Sequence, residues 1–122
     1  VTQGLQNNSI TVYGDGKQTR SFCYVDDLID GLIKLMNSDY NNPVNLGNPH
    51  EISILKLANT IIEELVSDSV ISFKELPVDD PVKRCPDISL ANEILGWFPK
   101  ISLNEGLSRT IAWFDEALKE EA

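Results

Sequence analysis

The stretch "YGDGKQTRSFCYVDD", residues 13–27, decides how the chain is read. Its two glycines permit the positive φ of a tight turn, so "GDGK" is expected to close a hairpin. "TRSFCYV" then alternates. Arg20, Phe22 and Tyr24 fall on one face of a strand, and Ser21, Cys23 and Val25 on the other. Asp26 or Asp27 would cap a following helix, since a short acid accepts the orphan N–H groups of a first turn. The same stretch sets Lys17 and Arg20 in a chain of net charge −9.

Upstream, "SITVY" at residues 9–13 has the alternation of a short strand. The residues before it are read as belonging to no helix or strand. Downstream, Leu28, Ile29, Leu32, Ile33, Leu35 and Met36 give the helix a broad stripe expected to be buried. "VNLG" at 44–47 reads as a short buried strand. Ser53 opens a second helix, with Ile54, Leu57, Ala58, Ile61 and Leu65 at helical spacing. A strand is expected in "VISFKEL" from Val70, followed by a loop with three prolines at 77–87. Asp87 would cap a short helix ending at Gly96. Ser102 and Glu105 form a capping box for the last helix, whose apolar face is Leu107, Ile111, Phe114 and Leu118. The order β-β-α-β-α-β-α-α predicts an α/β class with a small sheet and four helices.

One domain over residues 1–122 is the expectation from length. The sequence pI of about 4.4 argues against nonspecific nucleic-acid binding, which runs on neutralising phosphates. No apolar run approaches the roughly 20 residues of a membrane helix. Cys23 and Cys85 lack metal spacing and read as reduced thiols of a cytoplasmic protein. A lone His50 in "GNPHE" reads as a surface residue, and no metal site is expected. There is no GxSxG elbow, P-loop or GxGxxG. Asp79 and Asp80 read as a solvated loop edge.

The three arginines carry more. Arg109 belongs to the last helix, while Arg20 follows a glycine turn and Arg84 sits in the proline-rich loop. A planar guanidinium makes paired bonds to phosphate oxygens. Two such groups would hold a diphosphate, and Tyr13 would stack on a base. On the residues alone, a cross-strand salt bridge for Arg20 and a core position for Tyr13 remain open.

"ITVYGDGKQTRSFCYVDDLIDGLIKLM", "PVNLGNP" and "DDPVKRCPDISLANEILGW" together resemble the C-terminal part of the extended short-chain dehydrogenase/reductase superfamily. Within it the likeness is greatest to the UDP-glucuronic acid decarboxylases (UDP-xylose synthases), from about Ser9 to Phe114. The resemblance implies the substrate-binding part of such a protein, with its Rossmann core and NAD-binding domain absent from these residues. It places Thr11, Val12 and Tyr13 beside uracil, Arg20 and Arg84 on the diphosphate, and Gln18 as their weaker neighbour. Asp87 matches an acidic position three residues after Arg84, assigned either to the ribose or to capping its helix.

The implied whole protein is an enzyme. It oxidises UDP-glucuronate at C4 with tightly bound NAD, loses CO2 and is reduced again to UDP-xylose. It would be a homodimer. The alternatives are a UDP-hexose 4-epimerase, a nucleotide-sugar 4,6-dehydratase, or a non-catalytic nucleotide-sugar binding module. No catalytic residue is assigned here. Tyr13 and Lys17 match the letters of a Tyr-x-x-x-Lys pair, but that pair belongs on a helix, one turn apart. These 122 residues alone are expected to be inactive, and to self-associate through apolar surface.

Overall fold

The computed structural model describes residues 1–121. The elements run α1 (Thr2–Leu5), β1 (Ile10–Tyr13), β2 (Thr19–Ser21), α2 (Val25–Met36) and β3 (Glu51–Ser53). They continue with α3 (Ile54–Leu65), β4 (Ile71–Lys74), α4 (Ser89–Leu95) and α5 (Leu103–Glu120). The α/β class is as expected. The chain forms two compact units. One comprises Val1–Thr19, Ile52–Lys83 and the chain from Leu107 on; the other comprises Arg20–Glu51 and Arg84–Gly106.

In the first unit β1 runs parallel to β4, in a register that sets Ile10 opposite Ile71 and Val12 opposite Phe73. This corrects the expected hairpin: β1 spends its ladder on β4, and β2 pairs with β3 in a separate two-stranded sheet. The glycine turn was read rightly as a turn, with φ of 62° at Gly14 and 73° at Gly16. It docks on a helix instead of folding strand onto strand. The N–H groups of Ile54 and Leu55 donate to the carbonyls of Gln18 (3.0 Å) and Gly16 (2.9 Å). A side chain at Gly16 would meet Leu55 and Val12 at 2.8 Å, so the loop needs glycine there for space as well as for φ. Ser53 caps α3 as expected, its hydroxyl accepting from the Lys56 N–H at 3.2 Å. Ile10, Val12, Ala58, Ile61 and Leu107 form the core, with Ile54, Leu57, Leu65 and Ile111 packed against it.

Four local expectations fail. Residues 2–5 form a one-turn helix that contacts α3. "VNLG" is not a strand; β3 forms at Glu51–Ser53, just before the capped helix. The apolar stripe of α2 is only partly covered. Leu28 and Leu35 are half-buried, while Ile29, Leu32, Ile33 and Met36 are exposed. Finally, neither Asp26 nor Asp27 caps α2, whose N-cap is Tyr24 without a side-chain bond.

In the second unit Asp27 is buried instead, and its Oδ2 accepts from the N–H groups of Lys100 (2.9 Å) and Ile101 (2.8 Å). Its carbonyl accepts from the indole of the buried Trp97 at 2.9 Å. Helix α4 ends in the left-handed Gly96, as the sequence requires. The Ser102 cap of α5 forms, with its hydroxyl accepting from the Glu105 N–H at 3.2 Å.

Candidate nucleotide-binding residues

Four of the seven expected site residues lie in the first unit, and strand alternation sorts three of them. Ile10 and Val12 are buried, whereas Thr11 is half-buried and Tyr13 exposed. Thr11 and Tyr13 therefore share the outward face, and the Val12 side chain belongs to the core. The Val12 backbone faces the β4 ladder, lying between the N–H groups of Ile10 and Gly14, which donate to the carbonyls of Val70 (2.8 Å) and Lys74 (2.7 Å). Gln18 is buried, and its Nε2 donates to the Tyr13 carbonyl at 2.8 Å. Its place in the geometry is to close the glycine turn onto the end of β1.

Tyr13 and Lys17 also occupy positions that no helical pair takes. Tyr13 ends β1, and Lys17 lies in the turn with its Nζ 3.7 Å from Asp15.

The other three residues lie in the second unit. Thr19 makes a parallel bridge to Lys83, and its N–H donates to the Val82 carbonyl at 2.9 Å. One residue on, Arg20 and Arg84 occupy matching positions on adjoining backbone. Consistent with this, the Ser21 hydroxyl donates to the Arg84 carbonyl at 3.3 Å. Arg20 is half-buried and Arg84 exposed.

Asp87 is engaged locally. Its Oδ1 accepts from both the N–H (2.9 Å) and the hydroxyl (2.5 Å) of Ser89. The Ser89 hydroxyl, then its N–H, hold the carboxyl below the usual aspartate range. Asp87 thus braces the first turn of α4 from one residue outside the N-cap, Ile88. It also borders an open depression of about 530 Å³ lined by Pro49, Pro86, Ile88, Ser89 and Asn92.

Two residues that matter here were not read from sequence. Asp27 had a plausible local role as a cap, which masked its long-range one. Gln3 carried no signal at all: its side-chain amide meets Thr11 at both ends, through a contact between residues eight apart.

A family model described as GDP-mannose 4,6 dehydratase matches residues 1–110. The chain belongs to that family. Its sequence is 50% identical over 121 residues to UDP-glucuronic acid decarboxylase 1 of Arabidopsis thaliana, covering 99% of this chain and 28% of that protein. Against UDP-glucuronic acid decarboxylase 1 of Danio rerio the identity is 48% over 122 residues, covering 100% of this chain and 29% of the relative. The chain thus spans about three tenths of the length of these curated relatives.

Among solved structures, the UDP-glucose 4-epimerase of Thermotoga maritima with UDP-glucose superposes with a TM-score of 0.90 at 30% identity. It covers 95% of this chain and 38% of that one. The UDP-glucuronic acid 4-epimerase of Bacillus cereus, in complex with UDP-glucuronic acid and NAD, gives 0.87 at 28% identity, covering 94% and 38%. The resemblance drawn from sequence to the extended short-chain dehydrogenase/reductases, and within them to UDP-glucuronic acid decarboxylases, is borne out.

Proposed function

We propose that these residues are the C-terminal, UDP-binding part of a longer NAD-dependent UDP-glucuronate decarboxylase, which converts UDP-glucuronate to UDP-xylose and CO2. The observation that carries this is the half-identity to UDP-glucuronic acid decarboxylases along essentially the whole chain. In this reading Arg20 and Arg84 grip the diphosphate. The Ser21 hydroxyl donates to the Arg84 carbonyl, so the two arginine-bearing segments adjoin, which supports that role, since each guanidinium can bond phosphate oxygens. Thr11 and Tyr13 offer the base a hydroxyl and a ring on one outward face of β1. Gln18 supports that edge from behind, and Asp87 braces α4 beside Arg84.

NAD, when bound, accepts and returns a hydride at the sugar's C4. These residues carry neither its glycine-rich fingerprint nor a helical Tyr-Lys pair, so the reading assigns it to the rest of the longer protein. These residues then bind and orient the UDP end, and alone they turn over no substrate. Both cysteines are free, which suits a reducing, cytoplasmic setting.

The test is UDP affinity of the full-length protein. Arg20→Ala should weaken it about ten- to a hundredfold, the loss of a charge-assisted bond; unchanged affinity removes the diphosphate role. Product analysis with UDP-glucuronate then separates the chemistries. UDP-xylose with CO2 supports the decarboxylase. A 4-epimer without CO2 would put the protein with the epimerases that its fold also matches.

A further inference from the structure

We propose that Gln3 is a positioning residue that makes the Thr11 hydroxyl a hydrogen-bond donor toward an acceptor oxygen of the bound nucleotide. The inference rests on the UDP reading above and names a residue that reading does not use.

The argument begins with strand geometry. Successive residues of a strand send their N–H groups to opposite edges. The Ile10 N–H donates to Val70 on the β4 side at 2.8 Å. The Thr11 N–H therefore points to the other edge of β1, which no strand covers in this two-stranded sheet. There it donates to Gln3 Oε1 at 3.0 Å.

That bond fixes the rest. A backbone N–H can only donate, so it must face the amide oxygen of Gln3 and not its NH2. The Gln3 Nε2 is thereby turned onto the Thr11 hydroxyl, 3.2 Å away, and it too can only donate. The hydroxyl oxygen must accept, and its own proton is directed elsewhere. Thr11 donates that proton to no acceptor among the described residues. It lies on the face of β1 shared with the exposed Tyr13 and opposite the buried Val12. A hydroxyl with its oxygen occupied and its proton unspent, on the outward face of β1, selects an acceptor. In UDP the acceptors are the uracil carbonyls and the ribose and phosphate oxygens.

Gln3→Glu tests this directly. A carboxylate still accepts the Thr11 N–H, but it also draws the hydroxyl proton to itself, reversing the polarity. In the full-length protein, Gln3→Glu and Thr11→Val should each weaken UDP binding about three- to tenfold, the worth of one neutral hydrogen bond. The double variant should be no weaker than Thr11→Val alone, and Thr11→Ser should retain most of the affinity. Repulsion between the new carboxylate and UDP would instead add to the Thr11→Val loss, and additivity overturns the proposal. So does undiminished affinity in Thr11→Val, whatever Gln3→Glu does to folding. If Arg20→Ala weakens UDP binding while the Thr11 and Gln3 variants do not, this inference falls and the UDP reading stands. If Arg20→Ala has no effect either, the UDP reading itself has failed.

Discussion

In the unit built on β1, β4 and α3, the enclosed side chains are mostly aliphatic: Ile10, Val12, Ala58, Ile61 and Leu107. In the unit built on α2 and α4, the enclosed groups include an indole and a carboxylate, Trp97 and Asp27, joined by a hydrogen bond to the Asp27 backbone. The first unit is specified by hydrophobic area, which is large and forgiving of shape. The second leaves Ile29, Leu32 and Ile33 of α2 about half exposed, so area does less there. Its order is set by bonds of fixed direction. Asp27 satisfies two N–H groups of the 100–101 turn while Trp97 ties back to the start of α2. Polar groups taken from water in this way hold a unique arrangement and cost heavily when one partner is lost.

The contrast can be broken first at Asp27. Asp27→Ala removes an acceptor of two part-buried N–H bonds and should cost about 3 kcal/mol in urea unfolding, since bonds to charged groups are worth about 1.5–3 kcal/mol each. Asp27→Asn keeps an acceptor oxygen and should lose about half as much. Equal losses for the two variants would show that charge, and not the presence of an acceptor, is what matters. On the apolar side, Val12→Ala should cost about 2 kcal/mol, from the lost methyl groups plus the cavity they leave. Val12→Ile adds a methylene to a fully buried site and should cost about 1–3 kcal/mol by overpacking. A larger loss at Val12 than at Asp27 would invert the comparison.

How much of this was legible follows the same division. Ile54, Leu57, Ala58, Ile61 and Leu65 announce α3 by period, and Ser53 and Ser102 announce their helices by capping chemistry. Such signals are local, so they survive reading one residue after another. The partner of β1 is not local. Gly14 and Gly16 prescribe a turn but not what packs on it, and a hairpin is merely the nearest use of a turn. Asp27 misled because a carboxylate at a helix start has a ready local role, while its true partners lie 73 and 74 residues away. Among the site residues, Arg20 and Arg84 were marked by rarity and by the resemblance; the structure adds the Ser21 hydroxyl's bond to the Arg84 carbonyl. The bond from the Gln18 amide to the Tyr13 carbonyl joins residues five apart across the glycine turn and carried no signal in the sequence. Gln3 shows the limit, since a glutamine in a polar opening segment has nothing to distinguish it until the strand it reads is in place.

The smallest expected effect separates the two cysteines. Cys23 is half-buried, and burial, then the negative charge of Asp27, push its thiol above the ordinary cysteine range. Cys85 is exposed, with its Sγ 3.2 Å from the Pro49 carbonyl. Alkylation proceeds through the thiolate. A raised value leaves less thiolate at neutral pH, so iodoacetamide should mark Cys85 first, with Cys23 following as pH rises. Peptide mapping by mass spectrometry reads the order, and earlier labelling of Cys23 would contradict it. The sign for stability agrees: the neutral Cys23 thiol contributes fully below the ordinary unfolded value of about 8.5, and that contribution fades as pH climbs through the raised one. Asp27→Asn ties this back to the polar node. Removing the charge lowers the Cys23 thiol toward its ordinary value, and a loosened turn admits more water, so both changes speed its labelling. An unchanged Cys23 rate in that variant would mean that the carboxylate neither repels the thiolate nor shields it.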